Sequence, residues 1–119
     1  MATSKSWMYI SSTDFDHQIA DLARALGHPA RIRILRYLID HGPSSPKSLR
    51  KTGPLSRATM SHHLKVLRER YWVTFEENGP YAMYGLNGVT YPMFRDLFTT
   101  LMDDAINSAG NPKNKGASV

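Results

Sequence analysis

Two Gly-Pro pairs, Gly42-Pro43 and Gly53-Pro54, stand eleven residues apart and constrain this chain more than any other feature. Proline lacks a backbone N–H and glycine costs a helix conformational entropy, so each pair stops a helix early. The run between them, "SSPKSLRKT", has room for one short helix, with Ser45 as N-cap, Pro46 in the first turn and Leu49 inward. Whatever follows the second pair must start again within a few residues.

The flanking segments carry helical periodicity. In "DFDHQIADLARAL", residues 14–26, Phe15, Ile19, Leu22 and Leu26 recur every three or four positions, and Gly27 ends the stripe. "HPARIRILRYLIDHG" places Pro29 at a helix start and predicts an apolar face of Ile32, Leu35, Leu38 and Ile39. After Gly53-Pro54, "SRATMSHHLKVLRER" opens on Ser56 as a cap, with Leu55 placed to staple onto Met60. Its inner face is Met60, Leu64 and Leu67 with His63 alongside; Arg57, Ser61, His62, Lys65 and Arg68 point away. The third and fourth helices, joined by a Gly-containing turn of three or four residues around "TGPL", have the form of a helix-turn-helix.

Beyond Arg70 the period changes. "YWVTFEENGPYAMYGL" reads as two strand-like runs around Asn78-Gly79, a hairpin signal, with Pro80 limiting pairing beside it. "YPMFRDLFTTLMDDAINSAG" returns to helix, with a broad stripe of Phe94, Leu97, Phe98, Leu101, Met102, Ala105 and Ile106. The division expected is an N-terminal arm at 1–13, one folded domain at 14–108 and a disordered tail at 109–119. The fold class is mainly α with a small β-hairpin, in the order α-α-α-α-β-β-α.

Charge is concentrated where the helix-turn-helix lies. From Arg24 to Arg70 there are eleven Lys or Arg against Asp40 and Glu69, a net +9, while the flanks carry −4. Such a distribution suits a basic face that docks on a polyanion. The chain has no cysteine, which excludes disulfides, thiolate metal sites and a cysteine nucleophile. No segment has the length of a membrane span, and "WMYISST" is too short for a leader. A soluble, cytoplasmic protein is expected.

A recognition helix needs one face that packs and one whose side chains reach base edges in a groove about 12 Å wide. The segment 56–70 offers both. Arg57 can present a fork of donors to guanine, Ser61 and His62 can bond base edges or phosphates, and Lys65 can neutralise backbone charge. Ser56, Thr59 and the free N–H groups of the first turn suit a phosphate. Adjacent helical residues diverge by about 100°, so His62 and His63 cannot both face one metal ion from the same turn. His63 is read as a packed, hydrogen-bonded residue and His62 as an outward one.

The runs "LARALGHPARIRILRYL" and "SHHLKVLRERYWV", followed by a hairpin and a closing helix, resemble the ArsR/SmtB family of winged-helix transcriptional repressors across residues 14–108. The resemblance implies a homodimer built on the first and last helices, with recognition helices in successive major grooves of an imperfect palindrome. It makes Arg57, Thr59, Ser61, His62 and Lys65 the DNA-facing set, supported by Ser56. Three departures narrow what carries over. The Cys-x-Cys metal sensor is absent, and the closing helix has Asp96, Asp103 and Asp104 but no histidine, so no metal or other cofactor is expected. The wing tip "EENGPY" bears two acids where relatives carry arginine. Finally, Tyr71-Trp72 stands where relatives often end the recognition helix with glycine, so an exit without a left-handed cap, burying aromatic surface, is expected.

For the dimer, Phe15 and Ile19 of the first helix with Phe94, Leu97, Phe98, Leu101 and Met102 of the last are the expected contact residues. Trp7 and Tyr9 can pack on that interface or line a pocket, and the Met93 and Met102 region can admit an apolar effector, whose identity is unknown. Two rival readings stand beside this one. A winged helix used for protein contact alone would leave the basic face idle. A histidine-dependent enzyme would need converging acid, base and nucleophile, and the sequence has no glycine-rich phosphate loop, Gly-x-Ser-x-Gly or His-Glu-x-x-His.

Overall fold

The computed structural model describes residues 12–111, apart from a few side chains. Trp7, Tyr9 and the tail beyond 111 lie outside the described residues. Five helices and one hairpin follow in order: α1 (Ser12–Ala25), α2 (Pro29–His41), α3 (Pro46–Leu49), α4 (Arg57–Glu69), β1 (Val73–Asn78), β2 (Tyr81–Leu86) and α5 (Thr90–Ala109). A turn of 3-10 helix, Arg50–Thr52, extends α3 to the second Gly-Pro pair.

The breakers act as their chemistry dictates. Gly42 ends α2 at φ +76, and its N–H returns to the Leu38 carbonyl at 2.8 Å. Ser45 caps α3 by accepting from the Ser48 N–H, and Ser56 caps α4 by accepting from the Thr59 N–H at 3.1 Å. His28 caps α2: its Nδ1 accepts from the Ala30 N–H at 3.0 Å, a role the sequence reading did not assign.

Leu22, Ala25, Ile34, Leu35, Leu38, Leu49, Met60, Leu64, Leu67, Trp72, Val73 and Leu97 form the core, with Leu55 packed against it. The inner face of α4 is as the spacing predicts, Met60, His63, Leu64 and Leu67. The face of α2 agrees with the expectation at Leu35 and Leu38 only. It buries Ala30, Ile34, Leu35 and Leu38, while Ile32 is exposed and Ile39 is 63% exposed. Arg31, donating from Nε to the Ala25 carbonyl and from Nη1 toward His63, accompanies the rotation that turns Ile34 inward.

The hairpin pairs Val73 with Leu86 through to Asn78 with Tyr81, so its two-residue loop is Gly79-Pro80 rather than Asn78-Gly79. Gly79 at φ +61 supplies the positive dihedral that a primed turn needs at its first central position, and Pro80 sits where no pairing N–H is required. Ser44 and Tyr84 exchange N–H···O bonds of 2.8 Å each way, which straps the α2–α3 loop to the wing. The loop also passes close over Gly85, where a Cβ would lie 3.6 Å from the Pro43 Cγ.

The exit from α4 corrects another expectation. Tyr71 adopts φ +65, the one positive value outside glycine among the described residues, so the helix does end on a left-handed residue. Tyr71 itself is 67% exposed; the buried aromatic is Trp72, at 2%. Its Nε1 donates to the Leu22 carbonyl at 2.9 Å, and its ring meets Tyr91 and Phe94 edge-on. The Thr90 hydroxyl donates to the Tyr71 carbonyl, and the Tyr91 hydroxyl donates to the Trp72 carbonyl at 2.7 Å. Tyr91 is pushed up to about 12 by burial, so it remains a donor. These bonds hold the exit between α1 and α5.

Candidate nucleic-acid interface

The outer face of α4 gathers the residues nominated from the sequence. Ser56, Arg57, Thr59, Ser61, His62 and Lys65 are all exposed, while the opposite face is closed by the core. The Ser56 hydroxyl is already engaged in capping and also donates to the Thr59 Oγ1 at 3.0 Å, so its direct part is to hold the first turn. Arg57 has no such tie among the described contacts. It lines a groove of about 380 Å³ with Pro46, Arg50, Met60, Ser61, Leu64 and Tyr84. A second groove, of about 590 Å³, runs along Ser61, Lys65, Arg68, Glu69, Tyr71 and Tyr84. Ser61 and Tyr84 belong to both.

Two further cations that were not nominated from the sequence line these grooves. Arg50 sits in the 3-10 turn across the first groove from Arg57; a lone basic residue in a turn has no periodicity to reveal it. Arg68 lies two turns beyond Ser61 on the same face, which helical spacing does reveal. Its guanidinium stacks 4.4 Å from the centroid of Phe75 on β1, and Phe75 in turn meets Tyr84 at 5.0 Å. The hairpin thus orients a cation of α4 although its own Glu76 and Glu77 are acidic and exposed. Burial raises the Tyr84 phenol above its ordinary value, partly offset by Arg68, which keeps the hydroxyl protonated.

The paired histidines separate as the helix geometry requires. His62 is exposed. His63 is buried, 3.2 Å from the Arg31 Nη1 through its Nδ1 and 4.5 Å from the His28 ring centroid to centroid. Burial, then the nearby His28, Arg31, His62 and Arg33, lower its pKa, so His63 stays neutral and accepts from Arg31. Among the described residues, no three His, Cys, Asp or Glu come together in a way that could hold a metal ion. Also among them, no helix is long and apolar enough to cross a membrane.

Of the expected dimer residues, Phe15, Ile19, Phe94 and Met102 are half-buried and Phe98 and Leu101 are exposed. Leu97 is not available to a partner: at 1% exposure it belongs to the chain's own core, because the stripe on α5 is broad enough to serve two surfaces. Ile32 and Ile39, turned outward on α2, join Leu26, Tyr91 and Phe94 around an apolar trough rimmed by Arg36 and Arg95.

Residues 26–70 match a family described as a helix-turn-helix domain. The chain is 28% identical over 93 residues to the transcriptional repressor SdpR of Bacillus subtilis (strain 168), covering 78% of this chain and 90% of that one. It superposes with a TM-score of 0.63 on a solved "possible transcriptional regulator for arsenical resistance", 27% identical, over 76% of this chain and 98% of that chain. A homodimeric winged helix-turn-helix DNA-binding domain from Mycobacterium bovis, titled a possible ArsR-family regulator, is 18% identical with a TM-score of 0.62. That likeness, over 92% of this chain and 93% of the other, concerns the fold.

Proposed function

We propose that the chain is a winged helix-turn-helix regulator of the ArsR type and works as a homodimeric repressor that grips double-stranded DNA at an imperfect palindrome, a reading its likenesses support. The observation that carries this reading is the division of α4 into a core face and an outer face that presents Arg57, Ser61, His62 and Lys65 together. Arg57 reads a base edge, Lys65 and Arg50 neutralise phosphates, and Arg68 is aimed along the groove by Phe75. The N–H groups of the capped first turn, with Thr59, face a phosphate.

Dimerisation follows from apolar surface that one chain leaves open. Phe98 and Leu101 on α5 are exposed beside half-buried Phe94 and Met102, and Phe15 and Ile19 extend the patch from α1. Two-fold pairing there sets two recognition helices about 34–36 Å apart, one turn of duplex. The homodimeric state printed for the Mycobacterium bovis domain and the repressor role printed for SdpR support this reading by likeness.

The test is a series of gel shifts on promoter fragments of the source genome from about 50 to 200 mM salt, over which a protein making several phosphate contacts loses about a thousandfold or more in affinity. A palindromic site should outcompete random duplex at every salt. A chain that shifts no duplex in this range is not a DNA-binding regulator, and a module for protein contact becomes the better reading.

A further inference from the structure

At the carboxyl end of α4, away from its capped start, three helices line an open cavity of about 250 Å³. Gln18, Asp21 and Leu22 of α1 form one wall, Glu69, Arg70 and Tyr71 at the exit of α4 another, and Met93 of α5 closes it. We propose that this cavity binds a small organic cation, an amine on an aromatic or branched apolar body, and that such a ligand acts on the recognition helix from here. The consequence for DNA rests on the function proposed above; the binding itself does not.

The lining determines the ligand class. Leu22, Met93 and the Tyr71 ring provide apolar surface for a body of fragment size, since the volume falls below the roughly 300–1,000 Å³ that drug-sized ligands fill. The polar side chains include an amide and two carboxylates that can accept. The Gln18 side-chain oxygen is buried and accepts no hydrogen bond, which leaves a desolvated acceptor at the wall. The terminal torsion of glutamine is broad, so a small rotation turns that oxygen to a donor group inside the cavity. Asp21 and Glu69 add two carboxylates against the single charge of Arg70. An ammonium brings three donors and no acceptor, and its charge is opposite to the net charge of this wall. An alcohol satisfies fewer of these atoms, and a carboxylate meets two like charges.

The same wall connects to the exit of the recognition helix. Arg70 caps α4 through its backbone and reaches Asp21 across the mouth at 3.8 Å. The next residue is Tyr71 in its left-handed conformation, and Trp72 after it is tied to the carbonyl of Leu22, a cavity residue. An ammonium that takes Asp21 releases Arg70 and alters the hold of α1 on the end of α4. Coupling of this kind is reciprocal, so DNA must weaken the amine by the factor by which the amine weakens DNA.

Trp7 and Trp72 are the only tryptophans, so a Trp7→Phe chain makes Trp72 fluorescence a reporter beside the cavity. Phenethylamine, phenethyl alcohol and hydrocinnamate are titrated at constant ionic strength without DNA. The amine should saturate the signal and bind at least about tenfold tighter than the alcohol, with no saturation by the acid. Asp21→Asn should weaken the amine and, because it also releases Arg70, lower the unliganded DNA affinity, whereas Gln18→Glu, which adds a carboxylate, should tighten the amine and keep the unliganded DNA affinity. Saturating amine should then lower the affinity for the palindrome. Equal binding of amine and alcohol, tightening by neither carboxylate, or no saturation up to about 10 mM amine overturns the site. A chain that binds the amine but no duplex overturns the function proposed above and leaves the cavity standing.

Discussion

Arg31 on α2 places its Nη1 3.2 Å from the Nδ1 of His63 on α4, and this contact fixes the tautomer of a histidine buried on the inner face of that helix. A guanidinium is always a donor, so Nδ1 must accept and the proton must sit on Nε2. Protonating His63 would remove that acceptor and add a positive charge beside Arg31, Arg33, His28 and His62. The folded pKa is accordingly lowered, and the sign of the linkage follows. The unfolded chain takes up a proton as pH falls below about 6.5, while the folded chain resists. Stability from this site is therefore complete above that pH and is lost as pH falls toward the folded pKa. Thermal melts between pH 7.5 and 5 (about the histidine range) should show a decline that His63→Gln reduces. A decline of the same size in His63→Gln would place the effect elsewhere.

Tyr71 should gain from becoming glycine. A left-handed conformation costs a non-glycine residue roughly 1–2 kcal/mol, and glycine adds about 0.5–1 kcal/mol of unfolded-state entropy. The exposed ring contributes little burial, and the bond from Thr90 goes to the backbone carbonyl, which glycine keeps. Tyr71→Gly is expected to raise the urea unfolding free energy by about 0.5–1 kcal/mol. Tyr71→Val, β-branched and worse suited to this conformation, should lower it. A destabilised glycine variant would mean that the tyrosine ring packs more than its exposure implies.

Much of the architecture was legible because its signals are local. Gly-Pro breaks, a serine ahead of each of the two central helices and a sustained 3.6 period marked α3 and α4 without reference to anything distant. The separate fates of His62 and His63 followed from angular geometry alone. What escaped depends on contacts between segments far apart in sequence. The rotation of α2 that buries Ile34 instead of Ile32 and Ile39 is decided by which neighbours close around it, Arg31 with Ala25 and His63 among them. The left-handed Tyr71 is tolerated because Thr90, Trp72 and Leu22 secure the backbone on either side. The Ser44 strap to Tyr84 joins residues 40 apart, and Arg50 gains its place only once the grooves exist.

Removing the Trp72 bond should be costly for the same reason. Trp72→Phe deletes the donor to the Leu22 carbonyl while keeping an aromatic ring against Tyr91 and Phe94. A buried carbonyl left without its partner costs about 1–3 kcal/mol, and the smaller ring adds a void. Urea denaturation should register a decrease in that range. A neutral outcome would show that water replaces the indole.

On the proposed dimer, substitution of Phe98 should separate assembly from folding. This residue is 43% exposed on α5, stacked against Phe94 at 5.6 Å, whereas its neighbour Leu97 is internal. Phe98→Lys should leave the helical circular dichroism signal intact and shift the mass in sedimentation velocity from twice the chain mass toward 13.4 kDa. Leu97→Ala should instead destabilise each protomer by about 2–5 kcal/mol. A Phe98→Lys chain that remains dimeric would move the interface to another surface, with the trough between Ile39 and Phe94 next in line.

Arg57 and Lys65 lie on the same outer face but should fail differently when removed. A bidentate arginine contact to a base edge discriminates by roughly 1–3 kcal/mol, so Arg57→Ala should weaken the palindrome while hardly changing random duplex. On the proposed reading Lys65 meets phosphate, which is present at every sequence. Lys65→Ala should therefore weaken both duplexes alike and reduce the slope of log affinity against log salt by about one for each phosphate it no longer neutralises. Both are read in one gel-shift series at matched salt. If Arg57→Ala weakens both duplexes equally, the arginine holds backbone, and base reading passes to Ser61 and His62, which share its face of α4.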